Sequence, residues 1–247
     1  MERESTAAIA RRAIGRIDLT DLDDDCTADD VERLCAAARQ HGVAAVCVWP
    51  DFVAQAATAL AGSDVRVATV INFPTGDERA HASAVLAARA VADGAHEIDV
   101  VLPYRAWLAG DMTRAAAVLD AVRAAIGDAV TLKVIIESGS LGGDDVVRAA
   151  ARFAIAHGAD MVKTSTGRAE VSATLDAAAA ILDAITEAGG HDARRVGLKV
   201  SGGIRTFEQA AEYLALVDRR MGPDWAPPDR FRFGASGLLQ ALIAELD

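Results

Sequence analysis

The sequence predicts a (β/α)8 barrel, and three observations carry that prediction. Short β-branched runs alternate with longer alanine-rich stretches of helical period along the whole chain. Eight such pairs fit the 247 residues at about 31 residues each, and barrels of this class run to about 250 residues. The strand runs are apolar with few alternating polar positions, as expected of a parallel sheet covered by helices. The rival, a doubly wound open sheet, would show fewer strands and a glycine-rich first βα turn. Here that turn is LTDLDDD (19–25). No linker or low-complexity stretch divides the chain, so residues 1–247 are expected to form one catalytic domain.

The first strand is predicted over 17–20 (IDLT), and Thr27 with Asp30 then makes an N-cap pair for a helix over 29–41. Gly42 ends that helix in the left-handed conformation that glycine tolerates. Strands two and three follow at 43–49 (VAAVCVW) and 65–73 (VRVATVINF). An amphipathic helix over 78–93 stops at Gly94 and leads into strand four, 96–102 (HEIDVVL). A helix over 113–126 precedes strand five, 130–137 (VTLKVIIE), and Gly158 closes the next helix. Strands six and seven are placed at 160–165 (DMVKTS) and 196–201 (VGLKVS). A helix over 207–220 and the proline-rich loop GPDWAPPDR (222–230) lead to strand eight, 231–235 (FRFGA).

Composition narrows the function. A chain that is 52% hydrophobic can bury a large core. Its net charge of -11 argues against nucleic acid or an anionic membrane as partner, since either would select a basic face. No apolar run reaches the roughly 18 residues of a membrane span, and the N-terminal MERESTAAIARR lacks the apolar core of a signal peptide. Cys26, Cys35 and Cys47 show neither CxxC spacing nor an even count, which fits reduced thiols in the cytoplasm.

Barrel chemistry sits at the C-terminal ends of the strands. The ionisable residues within these apolar runs are Asp18, Glu97, Asp99, Lys133, Glu137, Lys163 and Lys199. A single lysine at a strand end is ordinarily a snorkelling or paired charge. Two on adjacent strands, with a carboxylate two strands away, are costly to bury unless they pair or act. A lysine amine attacks a carbonyl only when unprotonated. A second ammonium about 5 Å away, at an effective dielectric of about 20, repels it by about 3 kcal/mol. Desolvation acts in the same direction. Two glycine turns add an anion site: SGGIR (201–205) after strand seven, and GASG (234–237) after strand eight. Such turns crowd backbone N–H groups around a phosphate, and barrels often place phosphate in these two loops. Arg168 and Arg205 are the cationic partners expected there.

The motifs CVWPDF, VATVINFPTG, EIDVVLPYRAWLAGD, LKVIIESG, GADMVKTSTG, VGLKVSGGIRT and RFGASGLL occur in order between Ile17 and Leu239. On these residues the chain resembles the deoxyribose-phosphate aldolase family, Schiff-base aldolases on a (β/α)8 barrel. The resemblance implies reversible cleavage of 2-deoxy-D-ribose 5-phosphate to acetaldehyde and D-glyceraldehyde 3-phosphate, a step of deoxyribonucleotide catabolism, with no cofactor. It implies Lys163 as the Schiff-base lysine and Lys199 as the lysine that lowers its pKa. Asp99 would be the general acid/base, acting with a water, and Asp18 and Lys133 would complete the proton relay. Thr166, Gly167, Arg168, Gly202, Gly203, Ile204, Arg205, Gly234 and Ser236 would hold the phosphorylated substrate. Cys47 is expected in the core near the cavity. Three positions depart from the family pattern. Arg168 replaces a common lysine and Gly237 replaces a serine, which bears on phosphate affinity. The sequence also ends at Asp247 without the tyrosine tail of some members, which bears on the rate of proton transfer.

The other expectations are modest. The five histidines lack metal-ligand spacing, so no metal is expected, and DLDDD (21–25) reads as a solvated loop. No motif encodes assembly; a homodimer is one expected state. The alternatives are a phosphosugar isomerase on the same barrel, which has no use for a neutral lysine, and a different Schiff-base aldolase of a phosphorylated sugar. A non-catalytic phosphosugar-binding protein would retain the turns and lose the lysine pair.

Overall fold

Eight parallel strands close on themselves in sequence order, each paired with the next and β8 with β1. The architecture is that of a computed structural model, which describes residues 4–189 and 196–246. In chain order the elements are α1 (Thr6–Ile14), β1 (Ile17–Thr20), α2 (Ala28–His41), β2 (Ala45–Val48), α3 (Val53–Ala59) and β3 (Arg66–Ile71). Then come α4 (Ala80–Ala92), β4 (Glu97–Val101), α5 (Tyr104–Leu108), α6 (Met112–Ile126), β5 (Thr131–Ile135) and α7 (Asp144–Ala156). The last six are β6 (Met161–Lys163), α8 (Leu175–Ala188), β7 (Gly197–Ser201), α9 (Phe207–Met221), β8 (Phe231–Ala235) and α10 (Leu238–Ile243).

The predicted barrel is therefore the observed one, and β1 and β8 have the expected bounds. The other strands are shorter than the apolar runs; at the ends of β3 and β5 the chain turns while still buried, with Asn72 and Glu137 at positive φ of 58° and 52°. The punctuation holds. Thr27 and Asp30 form a complete capping box, and Gly42, Gly94 and Gly158 all have positive φ. The N-terminal helix α1 was not anticipated. It docks on α9 and α10, and Arg12 is bonded to Asp218 at 2.7 Å.

Two apolar regions result. The larger lies between strands and helices, built from residues such as Val46, Ile98, Leu132, Val162, Leu198 and Phe233. The smaller, with Leu22, Cys47, Ala68 and Val70 at its centre, is flanked by Trp49 and Phe73. Strands β2 and β3 thus give the lumen an apolar wall. The ionisable residues come from the other strands.

Candidate active site

Paired residues on neighbouring parallel strands point to the same face. The register sets Asp99 opposite Lys133, Lys163 opposite Lys199, and Lys199 opposite Arg232. Asp18 pairs with Gly234 across the closure of the barrel. Ala at 234 would bring its Cβ within 2.7 Å of Ser201 Cβ and 2.9 Å of Lys199 Cε. Glycine there makes room for the Lys199 stem.

The buried charges meet in one network. Lys163 Nζ donates to Asp99 Oδ2 at 2.9 Å, and Lys199 Nζ donates to the same oxygen at 2.7 Å. Lys199 also pairs with Asp18 Oδ2 at 2.5 Å. Lys133 Nζ reaches Asp18 at 3.0 Å, Glu97 at 2.5 Å and Asp99 at 2.9 Å. Arg232 holds Asp18 and contacts Glu97 at 2.9 Å. All five predicted catalytic residues come together, and Glu97 and Arg232 join them.

The environments separate the two lysines. Burial is the largest influence on Lys163 and lowers its pKa; Asp99 opposes that, and the charge of Lys199 lowers it further. Burial also disfavours the charge on Lys199, but the carboxylates of Asp18 and Asp99 outweigh it and raise its pKa. Lys133 is raised well above the ordinary lysine value, burial being overcome by Asp18, Asp99 and Glu97. Burial pushes Asp99 and Asp18 up, yet the surrounding lysines, with Arg232 at Asp18, hold both well below the usual carboxylate range. Desolvation leads at Lys163, and the expected repulsion from Lys199 reinforces it. Cys47 lies beside this network, fully buried in the apolar wall, and burial raises its thiol pKa.

Above the cluster a cavity of about 330 Å³ opens at the C-terminal face. Lys163 lines it, together with Thr166, Gly167, Arg168, Gly202, Gly203, Ile204, Arg205, Gly234 and Ser236. Gly167, Gly202 and Gly203 have φ of 83°, 91° and 83°, a conformation in which L side chains are strained. Three details modify the expected roles. The Arg205 amide donates to Gln209 Oε1 at 2.8 Å in the cap of α9, so only its side chain is left to face a ligand. Arg168 donates to the Leu22 carbonyl and lies 3.3 Å from Asp24, linking the β6 loop to the β1 loop. The final helix α10 has 6 residues and no side-chain cap, so little dipole is available there.

Several residues escaped the sequence reading. Asp21, Leu22 and Asp23 line the cavity, so DLDDD forms part of its mouth as well as meeting solvent. Glu137, noted only as a strand charge, accepts from Thr166 Oγ1 at 2.5 Å and thereby fixes the loop after β6. Ser201 donates its amide to Thr164 Oγ1 at 3.0 Å and joins the ends of β6 and β7. Arg232 left one signal: a charge at the second position of an apolar strand. Among the described residues, no group of three or more His, Cys, Asp or Glu side chains is arranged to hold a metal ion.

A closed parallel barrel with a buried carboxylate–lysine cluster beneath a glycine-walled cavity defines a barrel enzyme acting on a small polar molecule at its C-terminal face. Comparison with known proteins makes the assignment specific: residues 12–238 match the model of the DeoC/LacD family aldolases. The chain belongs to that family and is an aldolase. A deoxyribose-phosphate aldolase of Agrobacterium fabrum is 44% identical over 247 residues, covering 98% of this chain and 93% of the relative. A Coccidioides immitis structure provisionally assigned as a deoxyribose-phosphate aldolase is 31% identical, with a TM-score of 0.82, covering 96% of this chain and 86% of the other. A Toxoplasma gondii structure with the same provisional assignment is 26% identical, with a TM-score of 0.88 over 97% of this chain and 94% of the other.

Proposed function

We propose that the chain catalyses the reversible cleavage of 2-deoxy-D-ribose 5-phosphate to acetaldehyde and D-glyceraldehyde 3-phosphate through an imine on Lys163. One observation carries this reading: Lys163, whose pKa burial lowers, is the one lysine of the cluster that lines the cavity, on whose wall the glycine turns also lie. The neutral amine attacks the C1 aldehyde of the open-chain sugar; loss of water from the carbinolamine, with one proton supplied through the lysine–carboxylate relay, leaves an iminium ion. Asp99, acting through a water, removes the C3 hydroxyl proton. The C2–C3 bond breaks, its electron pair passes into the C1–C2 enamine, and D-glyceraldehyde 3-phosphate departs. The same Asp99 and water return a proton to C2, and hydrolysis of the imine releases acetaldehyde and restores Lys163. Lys199, Lys133 and Asp18 hold Asp99 in place and carry protons to and from it. The iminium nitrogen is the electron sink in this route, so activity should survive EDTA.

The glycine turns after β6 and β7, with Ser236, Arg168 and the Arg205 side chain, are the proposed phosphate cradle. Three free cysteines fit the reducing cytoplasm as the working compartment. The test is direct. Acetaldehyde plus borohydride should leave a reduced two-carbon adduct on Lys163, and deoxyribose 5-phosphate should yield acetaldehyde with wild type but not with Lys163→Ala. An adduct on another residue, or full activity in the variant, would overturn the assignment.

A further inference from the structure

The charged groups around Lys163 can be followed strand by strand. Asp18 comes from β1, Glu97 and Asp99 from β4, Lys133 from β5, Lys199 from β7 and Arg232 from β8, all buried. β2 presents the Cys47 thiol, and at the start of β3 the half-exposed Arg66, on the same strand face as Ala68 and Val70, pairs with Glu97 at 3.8 Å. Glu137 lies beyond the end of β5 and is bonded to Thr166. Arg66 is half exposed and its charge is screened by solvent; among the buried, ion-paired groups four cations therefore face three carboxylates. That sum leaves one positive charge in excess in a buried site, an arrangement that burial penalises. The excess is relieved when one cation loses its proton. Among the described residues Lys133 has three ion-paired carboxylates, Lys199 two and Arg232 two, whereas Lys163 is ion-paired with Asp99 alone and feels Glu137 at longer range. Lys163 is thus the least tightly held of the four.

The geometry points to Arg232 and Glu97 as positioning residues that set the charge state of Lys163 from the far side of the cluster. Neither lines the substrate cavity. Arg232 occupies one face of Asp18 and shares Glu97 with Lys133. It commits those carboxylates to cations other than Lys163, and the network comes to neutrality when Lys163 is a free amine. The inference rests on the proposed imine at Lys163 and adds to it a control of that lysine by residues outside the reaction.

The measurement is the rate of borohydride-trapped imine with acetaldehyde as a function of pH, in wild type and three variants. Arg232→Met leaves three cations and three carboxylates, so Lys163 should keep its proton. Trapping at neutral pH should fall about tenfold or more and return at higher pH, since each unit of pKa changes the free amine about tenfold. Glu97→Gln leaves four cations and two carboxylates, and its profile should move in the acid direction. The double variant leaves three and two, restoring an excess of one, and its profile should return towards that of wild type. A merely structural role would lower the rate in all three at every pH without moving the midpoint. Singles that share the wild-type midpoint, or that move in the same direction, would overturn the inference. Should Arg232→Met fail to fold, an acid shift in Glu97→Gln reversed in the double variant supports the inference, and an unmoved midpoint refutes it. Absence of any Lys163 adduct in wild type would sink the imine reading itself, a result separate from an adduct whose pH profile ignores these substitutions.

Discussion

Lys163 and Lys199 donate to the same oxygen of Asp99, at 2.9 and 2.7 Å. The two nitrogens are therefore no farther apart than the sum of those distances, about 5.6 Å, close enough for strong repulsion at low dielectric. The shared carboxylate also separates their roles. Lys199 has Asp18 as a second ion-paired anion, which favours its charged form, while among the described residues Lys163 is ion-paired with Asp99 alone.

Replacing Lys199 with Leu removes one of the two influences that lower the Lys163 pKa and frees Asp99 to hold its proton. Both changes raise that pKa, so free amine becomes scarcer at neutral pH and reappears as pH rises. Imine formation at neutral pH should fall by about a hundredfold, at about tenfold per unit of pKa, and recover in part at alkaline pH. A midpoint equal to that of wild type would leave desolvation as the whole cause.

Asp99→Asn acts in the opposite sense on the lysine, because Asp99 is the carboxylate that raises the Lys163 pKa. Imine trapping should persist and move to lower pH. Exchange of the acetaldehyde methyl hydrogens with D2O, which reports enamine formation, should fall by about a hundredfold or more, the scale of a lost general base. The melting temperature should drop as well, since removing one partner of a buried pair costs about 3–5 kcal/mol. Undiminished exchange would remove Asp99 from the proton-transfer role.

Gly203 has φ of 83° and open space where a Cβ would lie. A side chain there meets no steric barrier from its neighbours and instead strains the backbone by about 1–2 kcal/mol. Gly203→Val should turn the peptide out of its present orientation. The KM for deoxyribose 5-phosphate should rise about tenfold or more, on loss of one charge-assisted hydrogen bond, with a small effect on unphosphorylated deoxyribose. Equal effects on the two sugars would exclude the phosphate assignment.

Asp18 and Asp99 tie stability to acid pH. Burial works against their charge, but the lysines, with Arg232 at Asp18, hold both folded-state pKa values below the unfolded one of about 3.9. A depressed folded pKa contributes stability above the unfolded pKa and loses it as pH falls through the folded value. The melting temperature should hold from pH 7 to about 5 and decline below about 4. A melting temperature at pH 3 equal to that at pH 7 would contradict the network.

The sequence by itself determined the class of fold, the order of the eight strands, the glycine turns and the strand positions of the charges, among them the five network residues that the family resemblance proposes as catalytic. These are local signals: the period of apolar residues, a capping box at Thr27 and Asp30, glycines where φ is positive. It also carried Glu97, seen only as a strand charge, and it left Arg232 unremarked inside FRFGA. What only the tertiary structure decided was partnership. Lys163 lies opposite Lys199, and Lys199 opposite Arg232, because of strand register. Asp18 meets residues more than a hundred positions away because β8 closes on β1. Register and closure are set by packing across the whole barrel, and no short stretch of chain contains them. The same holds for desolvation, which outranks repulsion at Lys163 and belongs to the assembled interior rather than to any residue.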